Sequence, residues 1–152
     1  MGGDGLQVID VSTPSAPQEI GYYTAPSGPE AVCVSGSYAY IANHTDGLRV
    51  IDVSIPSEPQ EVNHCDLDLP EGSELNNVFV SGSYAYGACS DAVRVIDIST
   101  PSNPHEVGYY ETPASAIAVY TSDRYIYVAD DAAGLQIYEL LPVGVEEKPI
   151  TI

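Results

Sequence analysis

Apolar positions in this chain fall in short alternating runs. Tyr38-Ala39-Tyr40-Ile41-Ala42 and Leu48-Arg49-Val50-Ile51-Asp52-Val53 are typical. Runs of roughly four to seven residues rich in Val, Ile and Tyr, bounded by Gly, Ser, Asp and Pro, read as half-buried β-strands. Ser35-Gly36-Ser37 between Val34 and Tyr38 is a hairpin signal. The pairs Pro14/Pro17, Pro56/Pro59 and Pro101/Pro104 would break a helix and cannot sit in a central strand. They mark rigid connections. No segment carries helical periodicity.

The strands belong to a repeat. Gly5-Leu6-Gln7-Val8-Ile9-Asp10-Val11-Ser12 returns from Gly47 and from Ala92, and in fading form from Gly134; the steps are 42, 45 and 42 residues. Val34-Ser35-Gly36-Ser37-Tyr38-Ala39-Tyr40 returns from Val80, with Arg124–Ala129 as a third form. Pro17–Tyr23 returns as Pro59–Cys65 and Pro104–Tyr110. Several blocks in fixed order at one period mark a repeat architecture. One unit then has four strands, a to d: Ala31–Ser35, Tyr38–Ala42, Leu48–Val53 and Gln60–Cys65. Four short antiparallel strands every ~42 residues is the arithmetic of a β-propeller blade.

The motif Leu-x-Val-Ile-Asp-Val-Ser-x-Pro-Ser-x-Pro, with Ser-Gly-Ser-Tyr-Ala-Tyr upstream, resembles the LVIVD repeat family. The resemblance covers residues 5–140. It implies an all-β propeller segment from a bacterial or archaeal secreted or cell-surface protein, and it carries over no catalytic motif. On this reading residues 1–30 form a half unit (c and d). Residues 31–65 form a full unit, residues 66–110 a unit with a longer d–a loop, and residues 111–140 strands a to c of a last unit. That is a partial ring of about three blades. Met1 aligns with Asn43 inside a unit, so the expectation is a fragment of a longer chain, or else copies that associate through open blade edges. Residues 141–152 read as an exit linker, similar to segments that precede sorting domains of type IX-secreted proteins.

Charge narrows the partners. Lys plus Arg total 4 and Asp plus Glu total 22, a net charge of -18. Nucleic acid and anionic membrane surfaces are therefore not expected partners, because both require cationic side chains. Basic partners or cations suit the charge. The first residues have neither a basic n-region nor an apolar h-region, so no signal peptide is read there. With 3 cysteines, a disulfide framework is not expected.

The repeated Asp10, Asp52 and Asp97, each followed by Ser two residues on, are read as turn formers that bond nearby backbone N–H groups. The candidate binding loops are the b–c loops, with Asn43, His44, Asp46, Asp130 and Asp131, and the long d–a loop, with Asp66, Asp68, Glu71 and Glu74. Oxygen ligands on short Gly-containing loops suit Ca²⁺. The sets are sparse, however, and Pro70 and Glu71 spoil a helix–loop–helix calcium register, so no cofactor is expected beyond a possible Ca²⁺. His44, His64 and His105 lack metal spacing, and no Gly-x-Ser-x-Gly occurs. The tyrosine pairs on strand b predict packing between blades, and Tyr22-Tyr23 and Tyr109-Tyr110 offer an aromatic surface. The resulting expectation is a non-catalytic binding or scaffold module for an unknown protein or carbohydrate. The alternative is part of a propeller-type extracellular hydrolase or lyase, with Ca²⁺ stabilising it.

Overall fold

The computed structural model describes residues 5–140. Four antiparallel sheets follow one another along the chain. Sheet I is β1 (Gly5–Asp10) and β2 (Gln18–Thr24). Sheet II is β3 (Ala31–Ser35), β4 (Tyr38–Ala42), β5 (Leu48–Asp52) and β6 (Gln60–Cys65). Sheet III is β7 (Leu75–Ser81), β8 (Tyr84–Cys89), β9 (Ala92–Asp97) and β10 (His105–Glu111). Sheet IV is β11 (Ala116–Ser122), β12 (Tyr125–Asp130) and β13 (Gly134–Glu139), with a 3-10 turn at Asp131–Ala133. The strands of sheet II match those expected, except that the third stops at Asp52. The exit linker at 141–152 lies outside the described residues.

Local chemistry sets the corners. The β3–β4 and β7–β8 turns place Gly36 and Gly82 at φ 58° and 59°. At the equivalent β11–β12 turn Asp123 holds φ 55°, a conformation that a short polar side chain tolerates better than most. The repeated aspartates close Asx turns: Asp10, Asp52 and Asp97 each accept through Oδ1 from the N–H of Ser12, Ser54 and Ser99 at 2.8 Å. In sheets I, II and III the outer strand pair carries a bulge at the same place, near Val8/Ile9, Val50/Ile51 and Glu106/Gly108. The extra residue of each bulge, Ile20, Val62 or Val107, is left apolar and exposed.

The sheets stack face to face. Leu6 and Tyr23 of sheet I pack on Ala39, Ile41 and Ile51 of sheet II. The opposite face of sheet II (Tyr40, Ala42, Leu48, Val50) packs on Val78, Ala85 and Ile96 of sheet III. The far face of sheet III (Tyr86, Ala88, Val93) packs on Val119, Ile126 and Val128 of sheet IV. Each interface uses the same repeat positions. Tyr40 and Tyr86 fill it as the tyrosine pattern predicts, whereas Tyr84, their neighbour in strand register, is exposed. Full burial of each Val, Leu or Ile contributes about 1.5–3 kcal/mol, so these faces carry most of the stability.

Candidate functional site

The loops at one end of sheets II and III carry a polar network that repeats. In sheet II, Ser27 Oγ donates to Asp46 Oδ2 at 2.6 Å. Arg49 pairs with Asp46 at 3.6 Å and with Glu61 at 2.7 Å, and the Tyr23 hydroxyl of sheet I donates to Glu61. In sheet III, Ser73 Oγ donates to Asp91, and Arg94 pairs with Asp91 at 2.8 Å and with Glu106 at 3.2 Å. Arg94 is only 3 % exposed and lies 5.2 Å from the centre of the Tyr109 ring. The strand register explains the match: Arg49 faces His64 across β5–β6, and Arg94 faces Tyr109 across β9–β10. Sequence reading missed this Ser–Asp–Arg–Glu set. Its available signal was an Arg 12 residues before a Glu in both full units.

The electrostatics follow. Burial pushes the Tyr23 phenol up to about 12, with the Glu61 carboxylate beside it acting in the same direction. For Glu61, burial is the largest influence and pushes its pKa up, but Tyr23 and Arg49 together outweigh it and leave the carboxyl below its ordinary range. The Cys89 thiol behind the network is pushed up to about 12 by burial. Cys33, Cys65 and Cys89 are all free thiols.

The predicted loop residues separate into three places. Asn43 and Asp46 belong to the sheet II network, and His44 stands beside it. His44 Nε2 lies 2.7 Å from Glu30 Oε1, its Nδ1 lies 3.2 Å from Glu74 Oε2, and its carbonyl accepts from the Leu75 N–H at 3.1 Å. His44 therefore ties the b–c loop of one sheet to both neighbouring connections. Asn43 is fully buried. With its Nδ2 on the Ser27 carbonyl, its Oδ1 accepts from Arg49 Nε at 3.0 Å. Asp130, also expected on an open loop, is buried, and its Oδ2 accepts from the Ala114 N–H at 3.2 Å. Asp131 opens the 3-10 turn with φ 23°. The four acidic residues of the long loop do not converge: Asp66 approaches His64 at 3.5 Å, Glu74 goes to His44, and Glu71 is exposed beside Gly72. Among the described residues, no group of three His, Cys, Asp or Glu side chains is arranged to hold a metal ion.

The long loop is also not simply a solvated excursion. Leu67 is 7 % exposed and plugs the core between sheets II and III, while Ser73 is buried against Asp91. The loop is thereby pinned at both ends and Asp68 is held over β10. The result is a cleft of about 480 Å³ lined by Asp68, Pro70, Asp91, Arg94, Glu106 and Tyr109, with Val107 and Glu111 at its rim. Asp91 and Glu106 are engaged by Arg94; the Asp68 and Glu111 carboxylates are exposed. A surplus of negative charge thus surrounds an exposed tyrosine ring.

Comparisons with known proteins fit this geometry. A protein of Lactobacillus plantarum superposes with a TM-score of 0.84 at 13% identity, over 99% of this chain and 49% of its own. The computationally designed Ika4 protein gives 0.68 at 13% identity, over 90% and 80%. BamB from Moraxella catarrhalis gives 0.64 at 16%, over 88% and 39%. The chain thus spans about half of the Lactobacillus protein, and at these identities the likeness is one of fold, a β-propeller arrangement of sheets. No curated protein matches the sequence. The LVIVD repeat matches residues 1–25, 30–67, 74–112 and 113–138, so the chain belongs to the LVIVD repeat family.

Proposed function

We propose that the chain is a non-catalytic β-propeller repeat module that binds a basic segment of a protein partner in the cleft under the β6–β7 loop. The observation that carries this reading is the pinned acidic loop beside an exposed aromatic. Asp68 and Glu111 add uncompensated charge to a cleft whose one cation, Arg94, is already neutralised by Asp91 and Glu106. Tyr109 offers a ring face to a Lys or Arg side chain. The net charge of -18 draws such a partner in from a distance. The secreted or cell-surface setting rests on the family resemblance.

Calorimetric titration with a tetra-arginine peptide tests the reading. Asp68→Asn with Glu111→Gln should weaken binding about tenfold, equivalent to ~1.4 kcal/mol. A control removing two distant carboxylates, Glu58→Gln with Asp123→Asn, should change it less than about twofold. Equal weakening by both pairs would mean that only the overall charge attracts the peptide, and the cleft would lose its role.

A further inference from the structure

Two junctions between sheets use the same repeat positions with different chemistry. Where sheet III meets sheet IV the groups are neutral: Asn76 Nδ2 lies 3.5 Å from Ser90 Oγ and donates to the Ala116 carbonyl at 2.9 Å. Where sheet II meets sheet III, the residues in the places of Asn76 and Ser90 are Glu30 and His44. A carboxylate stands at each ring nitrogen of His44. Glu30 Oε1, from the β2–β3 connection, lies 2.7 Å from Nε2, and Glu74 Oε2, from the β6–β7 connection, lies 3.2 Å from Nδ1. The His44 side chain is 30% exposed, so the ring is largely enclosed. Its main chain is held as well. His44 has a left-handed φ of 55° and forms an isolated bridge with Leu75, whose N–H donates to the His44 carbonyl at 3.1 Å. Leu75 is fully buried and opens β7.

We infer that His44 is a proton-operated clamp between sheets II and III, closed on Glu30 and Glu74 as the imidazolium and released at Glu74 when the ring loses its proton. An ionised carboxylate only accepts hydrogen bonds, and a neutral imidazole has one N–H to give. Neutral His44 can therefore satisfy one carboxylate and turns a lone pair on the other; the imidazolium donates to both. The shorter contact, to Glu30, keeps the remaining N–H, so the longer one, to Glu74, is the arm that opens. The other charged groups around the ring are engaged elsewhere. Asp46, on the same loop, is held by Arg49 and Ser27, and Arg49 also pairs with Glu61. Asp91, beyond Glu74, is held by Arg94 and Ser73. Opening is local, because the Glu74 carbonyl still accepts from the Ser90 N–H at 3.0 Å. It frees the Glu74 side chain and loosens the His44–Leu75 bridge. Both carboxylates favour the charged ring, so the clamp holds at low pH and loosens as pH rises through the range, about 5 to 8, in which imidazoles change charge. It acts whatever the cleft binds.

Amide hydrogen exchange followed by NMR on the full chain, corrected for the intrinsic rate at each pH, tests this. The Leu75 amide should be about fivefold better protected at about pH 5.5 than at about pH 8, the scale of a partly exposed charge pair. The amide of Val128, in the core of sheet IV, serves as the reference for changes in global stability. His44→Asn suits the same left-handed backbone but is too short to reach both carboxylates, so it should erase the pH difference at Leu75 relative to Val128. Glu74→Gln leaves the histidine in place and should reduce the difference as well. His64→Asn, on β6, should leave it intact. Equal protection of Leu75 at both pH values in the parent chain would overturn the inference. So would a difference that persists undiminished in His44→Asn or Glu74→Gln, or one that vanishes in His64→Asn.

Discussion

Replacing Arg94 with methionine probes the repeated network where it is most buried. Methionine preserves the aliphatic stem that packs under Tyr109, so the change isolates the loss of charge and hydrogen bonds. Arg94 Nη2 lies 2.8 Å from Asp91 Oδ2, and its Nη1 lies 3.2 Å from both Glu106 oxygens. The Arg94 side chain is 4% exposed, and those of Asp91 and Glu106 are 26% and 21% exposed. Removing one member of a buried ion pair costs about 3–5 kcal/mol, because the other charge remains desolvated. Water reaches both carboxylates in part, so the expected loss is about 2–4 kcal/mol. Arg49 provides an internal control in the same repeat position. Its side chain is 12% exposed and its partners Asp46 and Glu61 are 36% and 27% exposed, so Arg49→Met should cost only about 1–2 kcal/mol. Urea unfolding of the three chains, compared at the midpoint with equal slopes, reads the difference directly. If Arg94→Met lay within about 0.5 kcal/mol of the parent, or if Arg49→Met were the more costly, burial would not be what sets the worth of these pairs.

Other consequences concern thiols, tyrosine, aspartates and turns. In the native chain a thiol reagent at neutral pH should modify Cys33, which is partly buried, well before Cys65 or Cys89, both buried with thiols raised by desolvation; fast labelling of all three would contradict the core assignment. The Tyr23 phenol is raised from 10 to about 12, so its stabilising effect is complete below pH 10 and is lost as pH climbs through about 12; ultraviolet titration should show Tyr23 ionising late, as Tyr40 and Tyr86 do through burial, and Glu61→Gln should shift the Tyr23 step downward. For Asp52 and Asp97 the sign is opposite. Hydrogen bonds from Ser54 and Ser99 lower both carboxyls, so their contribution holds above the ordinary carboxyl range and disappears as pH falls through the lowered values, which carboxyl-carbon NMR can follow. Gly82→Ala places a side chain at φ 59° in open space, so its cost of about 1–2 kcal/mol should come from backbone strain alone.

What was legible in the sequence was whatever repeats within a unit. The alternation in Tyr38–Ala42 and Leu48–Asp52, the Gly36 and Gly82 turns and the Asp–x–Ser corners are local, and each recurs, so one reading supports the next. The site was harder to read because its contacts cross unit boundaries. His44 meets Glu30 and Glu74 from two different connections, and Ser27 reaches Asp46 across 19 residues. The acidic loop hid Leu67, an anchoring apolar residue flanked by Asp66 and Asp68, because loop composition gives no indication of which residue turns inward. Asn43 and Asp130 looked like exposed loop carriers for the same reason, and both are buried where the chain turns into the next strand.

The claim that the cleft under the β6–β7 loop recognises a basic segment is tested most directly by NMR shift mapping with a Lys/Arg peptide at physiological salt. Saturable shifts concentrated on Asp68, Tyr109 and Glu111 and on the strand β10 amides are the predicted result. Small, non-saturating shifts spread over the acidic surface of all four sheets would contradict it.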